Sequence, residues 1–228
     1  MSSLAARLAE FRIRLSRATQ RSGRGNVGMV AVTKTVPTAI IAEAIALGLT
    51  VFGENRVQEA WPKIEALPTV EWHFIGRLQT NKVKDVVGRF QLIHSLDRWR
   101  LAEALQREAQ AQNLRVSVLI QVNLGGEEQK GGISPAELQD FLSATVDLPQ
   151  LQVEGLMAIP PYMTDPEEAR PYFREMFRLF SDCRLPGRGM KILSMGMSND
   201  FEVAIEEGAN LIRVGSLLFG REKYSQGE

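Results

Sequence analysis

The chain is short of the residues on which several classes of function depend. Its 228 residues include one cysteine, Cys183, and two histidines, His73 and His94. A single cysteine excludes an internal disulfide framework and a cysteine-rich zinc or iron–sulfur site, and two histidines exclude a histidine-rich metal site. Cys183 stands in a helix-like stretch between Phe180 and Leu185, where a buried inert thiol is expected. Neither sign of charge is in excess, with 27 Lys and Arg against 27 Asp and Glu. A nucleic-acid partner normally demands a basic excess, so none is expected. No apolar run approaches the roughly 20 residues that span a bilayer. What remains, 44% apolar and 24% charged residues, is an ordinary globular mixture. A cytoplasmic protein without membrane association is the expectation.

The first 25 residues are rich in arginine (Arg7, Arg12, Arg14, Arg17, Arg21, Arg24), with Glu10 as the lone acid. That resembles an organelle transit peptide. Against it, Leu4, Leu8, Phe11, Leu15 and Ala18 recur at spacings of three and four, which predicts an amphipathic helix, and the helix is preferred.

Strand-like and helix-like segments then alternate without a linker. Strands are predicted at 28–32, 50–52, 71–75, 91–95, 115–122, 151–159, 191–194 and 210–214. Helices fall between them. Ser134-Pro135-Ala136-Glu137 and Asp165-Pro166-Glu167-Glu168 read as capped helix starts, and Ser198-Asn199-Asp200 as a cap with Ser198 most simply the N-cap. Eight such units with no spare domain predict a single-domain (β/α)8 TIM barrel over 1–228, with 1–25 a helix and connecting turn packed on it. A doubly wound open sheet is the alternative, since periodicity orders elements without closing them.

Barrels place function at the carboxyl ends of their strands. The first strand there delivers Lys34, the second Asn55, the third Gly76-Arg77, the fifth Asn123 and the sixth Met157. Ser194-Met195-Gly196-Met197-Ser198 and Arg213-Val214-Gly215-Ser216 follow strands seven and eight, where barrels frequently bind phosphate. Gly196 and Gly215 would let the backbone approach a ligand, and Ser194, Ser198 and Ser216 could donate hydroxyl bonds. Lys34 in a barrel mouth, with little solvent around it, is the kind of lysine that attacks an aldehyde. Together these features suit pyridoxal phosphate or a sugar-phosphate aldolase. Arg213 could donate to a ring nitrogen, bind a substrate phosphate or form a salt bridge.

Two glycine-rich segments are set aside. Gly23-Arg24-Gly25-Asn26-Val27-Gly28 spells G-x-G-x-x-G but precedes a strand and follows a helix, the reverse of a dinucleotide site, so it is read as a connecting turn. The segment Gly125–Gly132 lacks the order of a phosphate loop and is read as a lid or rim loop.

Longer blocks carry a resemblance: Val30-Ala31-Val32-Thr33-Lys34, Phe52-Gly53-Glu54-Asn55-Arg56-Val57-Gln58-Glu59, Trp72-His73-Phe74-Ile75-Gly76-Arg77-Leu78-Gln79-Thr80-Asn81-Lys82, Gly155-Leu156-Met157, Leu193-Ser194-Met195-Gly196-Met197-Ser198 and Ile212-Arg213-Val214-Gly215. In that order they resemble the pyridoxal-phosphate homeostasis protein family (YggS/PROSC-like) over nearly the whole chain. The resemblance implies a fold-type-III barrel like the amino-terminal domain of alanine racemase. It implies pyridoxal 5'-phosphate held as an internal aldimine on Lys34, Arg213 facing the ring nitrogen, and Asn55 and Met157 bordering the ring. Ser194, Met197 (through its backbone), Ser198, Gly215 and Ser216 would surround the phosphate. Asn199 stands where an acidic residue is expected. Members are expected to buffer the cofactor or deliver it to pyridoxal-phosphate-dependent apoenzymes, to influence amino-acid and keto-acid balance, and to have no established turnover. A monomer is the expected state. The runner-up is a racemase-like enzyme, for which Tyr162, after the sixth strand, could supply the second acid or base.

Overall fold

In the computed structural model, residues 2–126, 131–184 and 189–220 are described. The chain opens with α1 (Leu4–Ser22), which Ser3 caps by accepting from the Ala6 amide and which Gly23 ends in the left-handed region at φ 62°. Leu4, Leu8, Phe11 and Ala18 are buried, so the stripe seen in the sequence is the packing face. Burial of a leucine or phenylalanine side chain stabilises by about 1.5–3 kcal/mol, enough for a few such residues to hold the helix down. Among the arginines of α1, Arg14 and Arg21 bond Glu202 and Glu206, while Arg7 and Arg12 donate to the Leu218 and Leu47 carbonyls.

Eight parallel strands follow: β1 (Gly28–Val32), β2 (Val51–Glu54), β3 (Glu71–Phe74), β4 (Leu92–Leu96), β5 (Val116–Val122), β6 (Leu151–Ala158), β7 (Ile192–Ser194) and β8 (Leu211–Val214). They pair in chain order and close, β8 returning to β1 with Val30 opposite Arg213 and Ala31 opposite Val214. Closure decides for the barrel over the open sheet. The helices between the strands are α2 (Thr38–Ala46), α3 (Val57–Ala66), α4 (Trp99–Ala111), α5 (Leu138–Ala144), α6 (Arg170–Asp182) and α7 (Phe201–Glu206), and α8 (Ser216–Phe219) follows β8. Gly23–Gly28 is the connecting turn expected, running from the cap of α1 to the first residue of β1.

Several helix boundaries differ from expectation. The Ser134 hydroxyl accepts from the Glu137 amide and donates to its carboxylate, but regular helix begins only at Leu138. The capping box therefore closes a turn. The short helix expected at about 80–87 is a 3₁₀ helix over Thr80–Asp85. Asp165 does cap its segment, which starts as a 3₁₀ turn at Pro166–Ala169 before α6. Ser198 is not the N-cap of α7; that position belongs to Asp200. Cys183 caps the end of α6 half-buried rather than buried, and burial pushes its thiol pKa up. Of the Gly125–Gly132 loop, residues 127–130 lie outside the described part.

Strand alternation sorts side chains into two layers. Outward residues such as Phe52, Phe74, Leu193 and Ile212 join the main core beneath the helices. Inward, Leu92, Met157 and Leu119 cluster with Ile192 and Leu211 as an apolar plug. Above and beside that plug the interior turns polar.

Candidate functional site

Arg213 is the centre of that polar interior. On β8, 4% exposed, it donates from Nη1 to the Ser194 hydroxyl at 2.6 Å and from Nη2 to the Ala158 carbonyl at 3.0 Å. Neither partner is charged. Burial lowers its pKa to about 10, partly opposed by Asp200, so the group is still a cation at neutral pH. A desolvated cation bonded only to neutral groups is costly unless something else completes its environment.

Lys34 follows β1, the strand hydrogen-bonded to β8, and is half-buried. Gly215 fits against Val32 two residues earlier, so the two strand ends converge. The next residue, Thr35, has φ 61°, a conformation that a β-branched residue adopts at a cost of about 1–3 kcal/mol. The strain is located at the residue that turns the chain immediately after the lysine.

Behind Lys34, on the outward side of the sheet, lies a cluster that sequence reasoning missed. The Lys63 ammonium of α3 donates to the Thr33 carbonyl and to Glu54 Oε1, both at 2.7 Å, and the Thr33 hydroxyl donates to the same oxygen at 2.6 Å. Glu54 is fully buried, and burial raises its pKa although Lys63 and Thr33 oppose the rise. Glu54 precedes Asn55 and Thr33 precedes Lys34, so one ion pair fixes the ends of β1 and β2 together. Asn55 is supported from a further side by Gly76, where any Cβ would collide with the Asn55 backbone.

The loops after β7 and β8 meet, but not in the manner expected. The Ser198 hydroxyl accepts from the Gly215 amide at 3.3 Å, tying the two turns together. The Met197 amide donates to the Asp200 carboxylate at 2.6 Å, so this backbone donor is already engaged. Gly196 has φ 89°, and the space a Cβ would need is filled by Ala204 and Phe201; α7, not a ligand, requires glycine there. The Ser194 side chain is fully buried, bonded to Arg213 and to His94 Nδ1, and lies within the barrel rather than at its rim. Ser216 is exposed at the start of α8. Met157 is part of the apolar plug, opposite Ser194 in register, and forms floor rather than wall. Asn199 donates to the Met163 carbonyl, linking this loop to the one after β6. Tyr162 is 83% exposed, pointing to solvent rather than into the mouth.

Beside Asn55 a 740 Å3 cavity opens, with Arg56, Arg77, Lys82 and Arg98 among its lining. Arg77 and Arg98 both pair with the buried Asp97.

The two histidines, empty of metal chemistry in sequence, are also interior. His73 and His94 contact each other and connect to Glu71 and Ser194. Their inward positions on consecutive strands were the available signal.

A closed parallel barrel with a lysine at one strand end and a buried arginine on the neighbouring strand defines the class: a (β/α)8 barrel with a mouth suited to an aldehyde. The family profile "Alanine racemase, N-terminal domain" matches residues 7–223. The pyridoxal phosphate homeostasis protein of Aquifex aeolicus is 51% identical over 223 residues, covering 96% of this chain and 98% of the relative. The protein of the same name from Escherichia coli K12 is 39% identical, with 99% and 100% covered. Among solved structures, PipY of Synechococcus elongatus with PLP bound superposes with a TM-score of 0.85 at 38% identity, covering 96% of this chain and all of that one. Alanine racemase of Corynebacterium glutamicum shares the fold at a TM-score of 0.69 and 17% identity, covering 99% of this chain and 62% of that one. The chain belongs to the pyridoxal phosphate homeostasis protein family.

Proposed function

We propose that this protein binds pyridoxal 5'-phosphate at the carboxyl-terminal mouth of its barrel and acts as a carrier of the cofactor rather than as an enzyme. The observation that carries the reading is Arg213: a buried cation, bonded to a hydroxyl and a carbonyl, beside the strand that delivers Lys34. The homeostasis names of the relatives and the PLP-bound PipY structure support it.

When bound, the cofactor supplies an aldehyde, a basic ring nitrogen and a phosphate, and the residues present suit each. Lys34 would hold it covalently, and Arg213 would face the ring nitrogen. Asn55 would border the ring above the floor that Met157 helps build. Ser198, Gly215 and Ser216 are the groups assigned to the phosphate. Ser194 is reassigned from the phosphate to the support of Arg213. Met197 lends its amide to Asp200 and so holds the loop's shape.

A guanidinium at the ring nitrogen disfavours protonation there, which weakens the ring as an electron sink and suits storage over turnover. Tyr162, the residue considered for the second acid or base, lies in solvent. Residues 1–228 form one cofactor-binding unit in this reading. It is taken to work as a monomer in the cytoplasm, with pyridoxal-phosphate-dependent apoenzymes as recipients. Among the described residues no helix is long and apolar enough to cross a membrane.

The test is titration of the purified protein with pyridoxal phosphate, followed by near-visible absorption, with amino-acid turnover assayed on the loaded form. One equivalent bound, without racemisation or decarboxylation, is expected. Absence of binding, or turnover at ordinary enzymatic rates, contradicts the reading.

A further inference from the structure

We propose that Glu71, His73, His94 and Ser194 form a directional hydrogen-bond relay through the barrel, from its amino-terminal mouth to Arg213, and that they position this guanidinium for the cofactor. The second half of this statement rests on the reading of Arg213 above; the relay itself does not.

The links are continuous. Glu71 Oε1 lies 2.9 Å from His73 Nε2, His73 Nδ1 3.1 Å from His94 Nε2, His94 Nδ1 3.1 Å from Ser194 Oγ, and Ser194 Oγ 2.6 Å from Arg213 Nη1. His94 is on β4 and Ser194 on β7, strands that are not neighbours, so their bond crosses the interior. His73 is 4% exposed and His94 fully buried. At the far end the Glu71 side chain, 49% exposed, borders a 440 Å3 cavity at the amino ends of the strands.

Donor and acceptor capacity sets the direction. Glu71 is held below the usual carboxylate range by the bond from His73, against the effect of its own partial burial. A carboxylate only accepts, so His73 donates from Nε2. With one N–H on each imidazole, His73 Nδ1 then accepts from His94 Nε2, and His94 Nδ1 accepts from the Ser194 hydroxyl. Burial, then the neighbouring His73 and Arg213, hold the His94 pKa well below its ordinary value, which keeps that ring at one N–H. The Ser194 hydrogen is thereby turned toward His94, and its lone pairs face Arg213, which can only donate. Reversing the upper links requires a second proton on His73. The titratable groups around His73 are Glu71 on its own strand, His94 from β4 and, on the same cavity, Glu154 from β6.

The relay therefore ties the orientation of Ser194, and through it the seat of Arg213, to a carboxylate at the opposite mouth. No metal function is needed to explain the two histidines.

Two measurements test this. Long-range 15N–1H spectra of the cofactor-free protein contain two imidazole spin systems, because the chain has two histidines. At neutral pH His94 is expected as the Nε2–H tautomer with a bare Nδ1 that accepts from Ser194. A Nδ1–H tautomer or an imidazolium at His94 overturns the relay, whatever the cofactor does. In the loaded protein, Glu71→Gln places a donor-and-acceptor amide at the end of the relay and removes its direction. It is expected to weaken pyridoxal-phosphate binding about fivefold and to shift the visible band, the scale of a modest coupling between sites. Glu154→Gln, the same charge change on the same cavity outside the relay, should do neither. Equal behaviour of the two variants overturns the positioning role. If the unaltered protein fails to bind pyridoxal phosphate, the functional reading falls while the tautomer result stands.

Discussion

The guanidiniums of Arg170 and Arg213 put the same side chain to opposite uses on the outside and inside of one barrel. Arg170, between α6 and α7, meets three carboxylates: Glu167 at 2.6 Å, Glu206 at 2.7 Å and Glu207 at 2.9 Å. Arg21 from α1 and Arg174 join the same acids, so charge on the outer face knits three helices together. Those bonds raise the Arg170 pKa, whereas burial lowers that of Arg213. Arg213 has a hydroxyl and a carbonyl where Arg170 has carboxylates. Outside, the charge of Arg170 is answered by carboxylates of the fold. Inside, a charge is held with neutral neighbours at the level where a ligand with acceptor atoms would sit. Counting ion pairs would rank Arg170 above Arg213 in importance; on the proposed function the order reverses.

The comparison can be sharpened or broken by substitution. The largest effect expected is that of Lys34→Ala, which removes the covalent anchor. The covalent visible band should vanish while weaker, phosphate-anchored binding persists, with Kd raised about a hundredfold, or about 3 kcal/mol. Retention of the unaltered spectrum would show that another group holds the cofactor. Next come the two arginines as a crossed pair. Arg213→Met relieves a buried charge that Asp200 only partly offsets but takes the donor from the Ala158 carbonyl, worth about 1–2 kcal/mol, so Tm should hold or rise while cofactor affinity falls at least tenfold. Arg170→Met should do the reverse, costing about 1 kcal/mol of stability with cofactor affinity unchanged. Both variants losing stability alike would dissolve the contrast.

The two regions also differ in how stability responds to acid. Burial pushes Glu206 and Glu207 up, but bonds from Arg170, Arg21 and Arg174 outweigh it and leave both below the usual carboxylate range. The unfolded chain therefore binds those protons first, and the outer lattice is lost as pH falls below about 4. His94 also has a lowered folded pKa, so the unfolded ring takes its proton first. Its contribution is full above about 6.5, the ordinary histidine value, and erodes as pH falls from there. Melting temperatures measured from pH 8 to 3 should thus decline in two stages. His94→Gln should flatten the upper one and Arg170→Met the lower. A single stage, unmoved by either, would contradict this assignment. The smallest effect is assigned to Ser216→Ala, which should weaken binding by about 1 kcal/mol if its hydroxyl meets the phosphate. Isothermal titration reads this directly, and unchanged affinity would remove Ser216 from the site.

How far the sequence reaches is clearest at particular residues. The eight strands and their order were legible because each is a short apolar run bounded by turn residues, and Gly28–Val32 was placed to the residue. That Lys34, Asn55 and Arg213 stand at or near strand ends was legible because the barrel's polarity says where strand ends point. The roles of Ser194, Met197 and Gly196 were not. Which partner a buried hydroxyl or amide takes depends on strands far apart in the chain, as when Ser194 meets His94 across the interior. The Glu54–Lys63 pair hid for a similar reason: a helix lysine nine positions on looks solvent-facing until the helix is laid on the sheet. Thr35 carries no composition signal at all, since its strain resides in backbone geometry.

The account turns on Lys34 as the anchor, and borohydride reduction of the pyridoxal-phosphate-loaded protein tests it most directly. Peptide mass spectrometry should find the reduced adduct on the peptide containing Lys34, with the buried Lys63 unmodified. An adduct on Lys63 or another lysine, or no adduct from a protein that nonetheless binds the cofactor, would contradict it.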